Sequence, residues 1–166
     1  MAHADTDYRS PGQRRVGAQL LIRNSAGHVL LVQPNYKDGM ILVGGGALPD
    51  EPPHLAARRE GIEETGLAKL AAGDLLIVDY VRANTATGSV EGINFVFDGG
   101  IIPDDASITL PAAEQGEEPE LSGWRFVPFY QLGDHCLPYQ QRRITEALAA
   151  VADPARRGYR VEGQNV

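Results

Sequence analysis

Between Gly45 and Leu67 the chain reads GGALPDEPPHLAARREGIEETGL, and this segment constrains the fold more than any other. Pro52 and Pro53 open a run free of β-branched clusters, and Pro53 suits the first helical position, where a missing N–H costs nothing. Gly66 stands where a C-cap glycine would, able to turn left-handed without a Cβ penalty. The segment therefore predicts a glycine-rich loop feeding a helix from about Pro53 to Thr65. At about 100° per residue, Glu60, Glu63 and Glu64 share one arc of that helix, and Leu55 and Ile62 share another suited to packing. Arg59 lies between the two arcs.

Like charges at these spacings repel by roughly 0.2–0.5 kcal/mol a pair. A carboxylate cluster with a single arginine close by calls for a cation, and hard divalent ions take carboxylate oxygens. A solvated acidic face is the ordinary fate of such a helix. The glycine loop ahead of it and the fixed spacing of its charges favour the metal site.

Gly45, Glu51, Arg59-Glu60, Glu63-Glu64 and Gly66-Leu67 resemble the Nudix box, the signature of the Nudix (MutT-like) hydrolases. Every charged position of that motif is filled at its spacing. Gly61 stands where the family prefers an aliphatic residue; ahead of the box, Val43 replaces a usual proline and Met40 a frequent tryptophan. The resemblance implies hydrolysis of a nucleoside diphosphate linked to another moiety, by attack of water on a phosphorus of the pyrophosphate. It implies Mg²⁺, or Mn²⁺, as cofactor. Glu60 and Glu64 would be metal ligands, Glu63 a ligand or the base, and the Gly45 carbonyl a further ligand. Glu51 and Arg59 would pair and orient the others. Some subfamilies bring a further glutamate from a late loop, for which Glu114, Glu117, Glu118 and Glu120 are the candidates. A sensor domain that binds nucleotides or nucleotide sugars without cutting them is the rival reading, and such domains usually lose box glutamates. All are present here.

Ahead of the box, Val16–Arg23 and His28–Gln33 are apolar runs separated by the turn cluster Asn24-Ser25-Ala26-Gly27, which reads as a hairpin. Met40–Gly45 reads as a third strand. Many triphosphate-cleaving members carry a phosphate-binding arginine where this chain has Gln33. Lys37 and Arg23 are candidates to replace it, and Tyr36 is a candidate to stack on a base.

Beyond the box, Asp74–Arg82 and Val90–Gly99 read as strands. Ile93, Phe95 and Phe97 alternate toward the core, and Asn94 faces the other way as a candidate base contact. Pro103–Pro119 reads as a long exposed acidic loop and Leu121–Phe129 as a strand. Tyr139–Val151 is an amphipathic helix, with Ile144, Leu148 and Val151 on one face. Subfamily cues are thin. The proline of ADP-ribose hydrolases, expected near Arg82 or Ala83, and the tyrosine of dinucleoside-polyphosphate hydrolases, expected near Ala83–Thr85, are both missing. That leaves a nucleoside triphosphate slightly favoured over ADP-ribose or another nucleotide sugar.

The order of elements predicts an α+β fold, and the resemblance implies an α/β/α sandwich around a mixed sheet. Residues 1–14 are expected as a flexible arm, 15–153 as the domain and 154–166 as a polar tail. A length of 166 residues suits one domain, and a net charge of -7 argues against polymeric nucleic acid or an anionic membrane as partner. A small nucleotide is compatible with that charge, because bound metal supplies local positive charge. The single cysteine, Cys136, allows no internal disulfide, and no apolar stretch reaches membrane-spanning length; a cytoplasmic protein is expected. A homodimer is left open.

Overall fold

The apolar runs are too continuous to leave a face in water, so their strands need cover on both sides. The computed structural model describes residues 13–86, 88–113 and 118–166, and there these runs form the centre of one eight-stranded mixed sheet. The strands are β1 (Arg15–Arg23), β2 (Val29–Pro34), β3 (Ile41–Gly46), β4 (Leu75–Val81), β5 (Gly92–Ile101), β6 (Leu121–Val127), β7 (Gly158–Val161) and β8 (Gln164–Asn165). Their order is β6-β2-β3-β1-β5-β4-β7-β8. β1 runs parallel to β5 and β4 parallel to β7, and the other neighbours are antiparallel.

Two helices cover the sheet, α1 (Pro53–Thr65) and α3 (Pro138–Ala152), the latter preceded by the short α2 (Leu132–His135). Successive residues of β1 divide between them. Leu20 and Ile22 pack with Ala56 and Ala57 of α1, whereas Leu21 packs with Ile144, Ala147 and Ala150 of α3. Each fully buried Leu or Ile contributes about 1.5–3 kcal/mol of transfer free energy. The fold is α+β, a mixed sheet between helices.

α1 begins and ends where its prolines and glycine require. Pro52 is the N-cap, Pro53 opens the helix, and Gly66 at φ 70° closes it with its N–H on the Ile62 carbonyl. Gly61 has a packing reason. It is buried, and a Cβ there would lie 2.7 Å from Leu20 Cδ1, so α1 approaches β1 where a side chain would hold it off. That closeness offsets the cost of about 1 kcal/mol that glycine carries relative to alanine in a helix.

Three expectations are corrected. β1 and β2 are joined by a turn but pair only at Arg23 and Val29, because β3 enters between them; β2 pairs with β3 and β6 instead. The stretch after β5 is only partly exposed. Ala106, Ile108 and Leu110 pack onto the α1-side core, and the Thr109 N–H donates to the Thr65 carbonyl. Residues 154–166, expected as a polar tail, carry β7 and β8, which extend the sheet. The Arg143 side chain, 2% exposed, pairs at 2.7 Å with Asp79, which is 0% exposed. The Gly163 N–H donates to the same carboxylate at 2.8 Å, tying the β7–β8 turn to β4.

In β5 the Ile93/Phe95/Phe97 row does face the α1-side core through Phe95 and Phe97, yet the opposite row is the deeper one, with Asn94 and Val96 almost wholly buried. Residues 1–14 as an arm fall almost entirely outside the described residues. Among the described residues no helix is long and apolar enough to cross a membrane.

Candidate active site

β3 delivers Gly44, Gly45 and Gly46 to the flank of α1, and this approach builds the site. Gly44 has φ 132°, and a Cβ on it would sit 2.3 Å from the Ala18 carbonyl oxygen, so only glycine fits. Its N–H donates to Glu64 Oε2 at 2.7 Å. A Cβ on Gly45 would lie 2.5 Å from the carboxyl carbon of Glu60, so that carboxylate rests directly against the loop backbone.

Arg59 organises the acids around it. Its Nε and Nη2 donate to the two oxygens of Glu51, each at 2.9 Å, in a bidentate pair. Nη1 donates to Glu60 at 2.9 Å and to Glu63 at 3.1 Å, and Nη2 also reaches the Gly46 carbonyl at 3.1 Å. The Leu48 N–H donates to Glu51 as well. The Arg59 guanidinium and then this N–H hold the Glu51 carboxyl down at about 2, and the Glu51 carboxylate pushes Arg59 further up.

Glu64 has the opposite environment. Burial pushes its carboxyl up to about 8 against the pull of the Gly44 N–H, and Glu60, Glu120 and Glu63 push it the same way. Burial also raises Glu60 in spite of Arg59, helped by Glu63 and Glu120. Among the described residues, Glu120 is the late-loop glutamate whose charge bears on Glu60 and Glu64. Its backbone carbonyl accepts from the Asn35 N–H at 2.9 Å. Glu118 is exposed and makes no hydrogen bond or ion pair among the described residues. Glu114 and Glu117 lie outside the described residues.

The other candidates divide. Tyr36, 64% exposed, and Lys37 lie on the β2–β3 turn, with Lys37 Nζ 5.4 Å from the ring centroid. Partial burial, then the charges of Glu120 and Glu64, raises the Tyr36 hydroxyl, so this turn borders the acids. Arg23 does not. It is six residues along β1 from Gly17, the partner of Gly46, roughly 20 Å at about 3.3 Å per residue, and it pairs with Asp98 at 2.7 Å. Asn94 is 1% exposed and its amide donates to the Asp79 carbonyl, so it offers no surface to a base. Sequence reasoning missed Arg15, Gln19 and the buried Asp79–Arg143 pair.

Among the described residues, no three acid, histidine or cysteine groups form a ready-made metal cage. The donor chemistry still fits a hard divalent ion. Glu64 is a carboxyl raised by burial and then by its acidic neighbours, beside Glu60 and a backbone loop, the kind of open carboxylate set that Mg²⁺ completes with water and phosphate oxygens.

A model of the NUDIX domain matches residues 13–148. An RNA pyrophosphohydrolase of Rhizobium meliloti (strain 1021) is 29% identical, covering 81% of this chain and 90% of the relative. The solved MutT protein from Methanosarcina mazei Go1 superposes with a TM-score of 0.66 at 25% identity, over 84% of this chain and 96% of that one. A C. elegans Ap4A hydrolase shares the fold, with a TM-score of 0.61 at 18% identity over 84% and 98% of the two chains.

Proposed function

Because this chain belongs to the NUDIX family of pyrophosphate-bond hydrolases, we propose that it is a metal-dependent pyrophosphohydrolase acting on a nucleoside diphosphate linked to a further group, a nucleoside triphosphate being favoured. The observation that carries the reading is the acid cluster at Arg59, in which Glu60 and Glu64 abut the Gly44–Gly45 backbone, with the charge of Glu120 bearing on them.

Glu60 and Glu64 would hold Mg²⁺ or Mn²⁺, with Glu63 and the Gly45 carbonyl as the further ligands. Bound there, the ion supplies neutralising charge to the pyrophosphate. Glu51 acts through Arg59, which fixes the rotamers of Glu60 and Glu63 and so positions their oxygens. A carboxylate must take the proton of the attacking water, and Glu120 and Glu63 are the candidates. Glu120 is exposed and not engaged by Arg59, whereas one Glu63 oxygen is. These features favour Glu120 as base.

A second reading concerns the substrate's size. The relative named RNA pyrophosphohydrolase favours an RNA substrate, whereas the net charge of -7 favours a small nucleotide. The non-cleaving sensor alternative has against it that every box glutamate is retained. The test is incubation with Mg²⁺ and a panel of nucleoside triphosphates, a 5′-triphosphorylated oligoribonucleotide, dinucleoside polyphosphates and nucleotide sugars, with products separated by chromatography. Release of phosphate or pyrophosphate that chelator abolishes is the expected result. No turnover on any member with Mg²⁺ or Mn²⁺, or full turnover in excess chelator, overturns the proposal.

A further inference from the structure

Glu120 lies one residue ahead of β6, so the ladder that ends at Leu121 does not fix the direction of its carboxylate. Among the described residues that carboxylate makes no hydrogen bond or ion pair of its own. A general base needs a fixed aim, since a misplacement of about 1 Å can cost roughly 10²-fold in rate. Two features of the neighbouring strand supply that aim through the backbone.

The first is a β-bulge. β2 and β6 pair in step from Val29↔Val127 to Gln33↔Gly123, but the next pair is Pro34↔Leu121, so Ser122 is an extra residue on β6. The Ser122 hydroxyl donates to the Gln33 carbonyl at 3.3 Å, and Pro34 has no N–H with which to continue the ladder. Val127 and Leu121 lie an even number of residues apart and would share one face of a regular strand. Here Val127 packs on the α3 side of the sheet and Leu121 on the α1 side. The bulge thus reverses the facing of the residues just ahead of it, Glu120 included. Bulges on edge strands such as β6 re-aim side chains in this way.

Asn35 is the second feature. Its N–H donates to the Glu120 carbonyl at 2.9 Å, and its side-chain amide donates to the Pro119 carbonyl at 2.6 Å. These two carbonyls belong to the peptide units on either side of the Glu120 Cα, and each unit is planar. Only φ and ψ of Glu120 separate the two planes, so one residue that holds both leaves the Cα–Cβ bond little freedom to turn. Gln33 closes the turn that carries Asn35, donating its amide to the carbonyls of Pro34 at 3.0 Å and Lys37 at 3.4 Å. Asn35 is itself exposed, so its side chain contributes a hydrogen bond here rather than packing.

We infer that Asn35 is a positioning residue for the reaction, fixing through the two flanking carbonyls the direction in which Glu120 presents its carboxylate to the acids of α1. The inference rests on the hydrolase reading above, with Glu120 as base, and adds to it the residue that aims the base. The backbone N–H at this position survives any substitution except proline, so mutation of the side chain removes the grip on Pro119 alone.

The experiment compares wild type with Asn35→Ala, with Asn35→Leu, which removes the donor at nearly constant volume, with Glu120→Gln, and with the double variant Asn35→Ala/Glu120→Gln. Steady-state kinetics in Mg²⁺ use ATP, a 5′-triphosphorylated oligoribonucleotide, a diadenosine polyphosphate and ADP-ribose, and the one that wild type turns over fastest serves for the comparison. Both Asn35 variants should lower kcat by roughly 10–10²-fold, less than Glu120→Gln does, with KM within about twofold of wild type. Their melting temperatures should fall by no more than about 4 °C, and Mg²⁺ should raise them as it raises wild type, because Glu60 and Glu64 keep their places. In the Glu120→Gln background Asn35→Ala should cost less than about a further twofold, whereas a merely structural role costs the same factor in both backgrounds. Equal factors in the two backgrounds, an unchanged kcat in either Asn35 variant, or a far larger melting loss in both overturns the assignment. Glu120→Gln within a few-fold of wild type also overturns it, and leaves hydrolysis to Glu63. No turnover of any of these substrates by wild type overturns the hydrolase reading and the assignment with it.

Discussion

Glu64→Gln in metal-free protein separates the site's electrostatics from its chemistry. Glu64 is 9% exposed, and its carboxyl is raised from 4.5 to about 8 by burial and then by Glu60, Glu120 and Glu63. A carboxyl raised on folding binds its proton more tightly in the folded state, so stability is full below the unfolded value and is lost as pH rises toward the folded one. Between about pH 5 and 8 this single group should cost the metal-free protein about 1.4 kcal/mol per pH unit, or roughly 3–5 kcal/mol over the window. Glutamine cannot ionise, and its carbonyl can still accept from the Gly44 N–H. In chelator at pH 8 we expect Glu64→Gln to melt above wild type by roughly 2–4 °C per kcal/mol recovered. The two curves should converge near pH 5. Mg²⁺ at a hundredfold excess over Kd should add about 2.7 kcal/mol to wild type and less to the variant, which should lose most activity. Thermal melts from pH 5 to 9 in chelator and in Mg²⁺ check this. Parallel pH curves, or equal Mg²⁺ shifts, refute the reasoning and remove Glu64 from the metal site.

Changing Glu120 to Gln should lower kcat by roughly 10²–10⁴-fold with little effect on KM, while Glu118→Gln stays within a few-fold; if Glu114, Glu117, Glu118 and Glu120 all prove dispensable in steady-state assays, the base is Glu63. Gly45→Ala should displace the Glu60 carboxylate, because the new Cβ would sit 2.5 Å from its carboxyl carbon; Mg²⁺ titration followed by melting temperature should show weaker binding with the fold intact. Asp79→Ala leaves Arg143 buried without its partner and also orphans the Gly163 N–H, so urea unfolding should show a loss of about 3–5 kcal/mol.

What the amino-acid order determined by itself was local. Pro53, Gly66 and the run between them set the bounds of α1, because helix start and stop are decided by the backbone chemistry of neighbouring residues. The spacing of Glu60, Glu63 and Glu64 set a shared helical arc, and that of Glu51 and Arg59 marked a pair, since fixed helical geometry converts spacing into direction. Tertiary structure decided everything that depends on which strand lies beside which. The apolar runs of β1 and β2 look like partners, yet β3 separates them, because a strand buried on both faces can pair at either edge. The same choice carried Arg23 to the far end of β1 and sealed Asn94 against the Asp79 carbonyl of β4. It brought Glu120 back across many residues to the box, and placed Arg15 beside Gly17. It also turned the polar C-terminal stretch into β7 and β8, held by the Asp79 carboxylate. Burial likewise separates Glu64, pushed up to about 8, from Glu51, held at about 2, though both are glutamates of one motif; a side chain's protonation depends on the water and charge around it, and only the packed chain sets those.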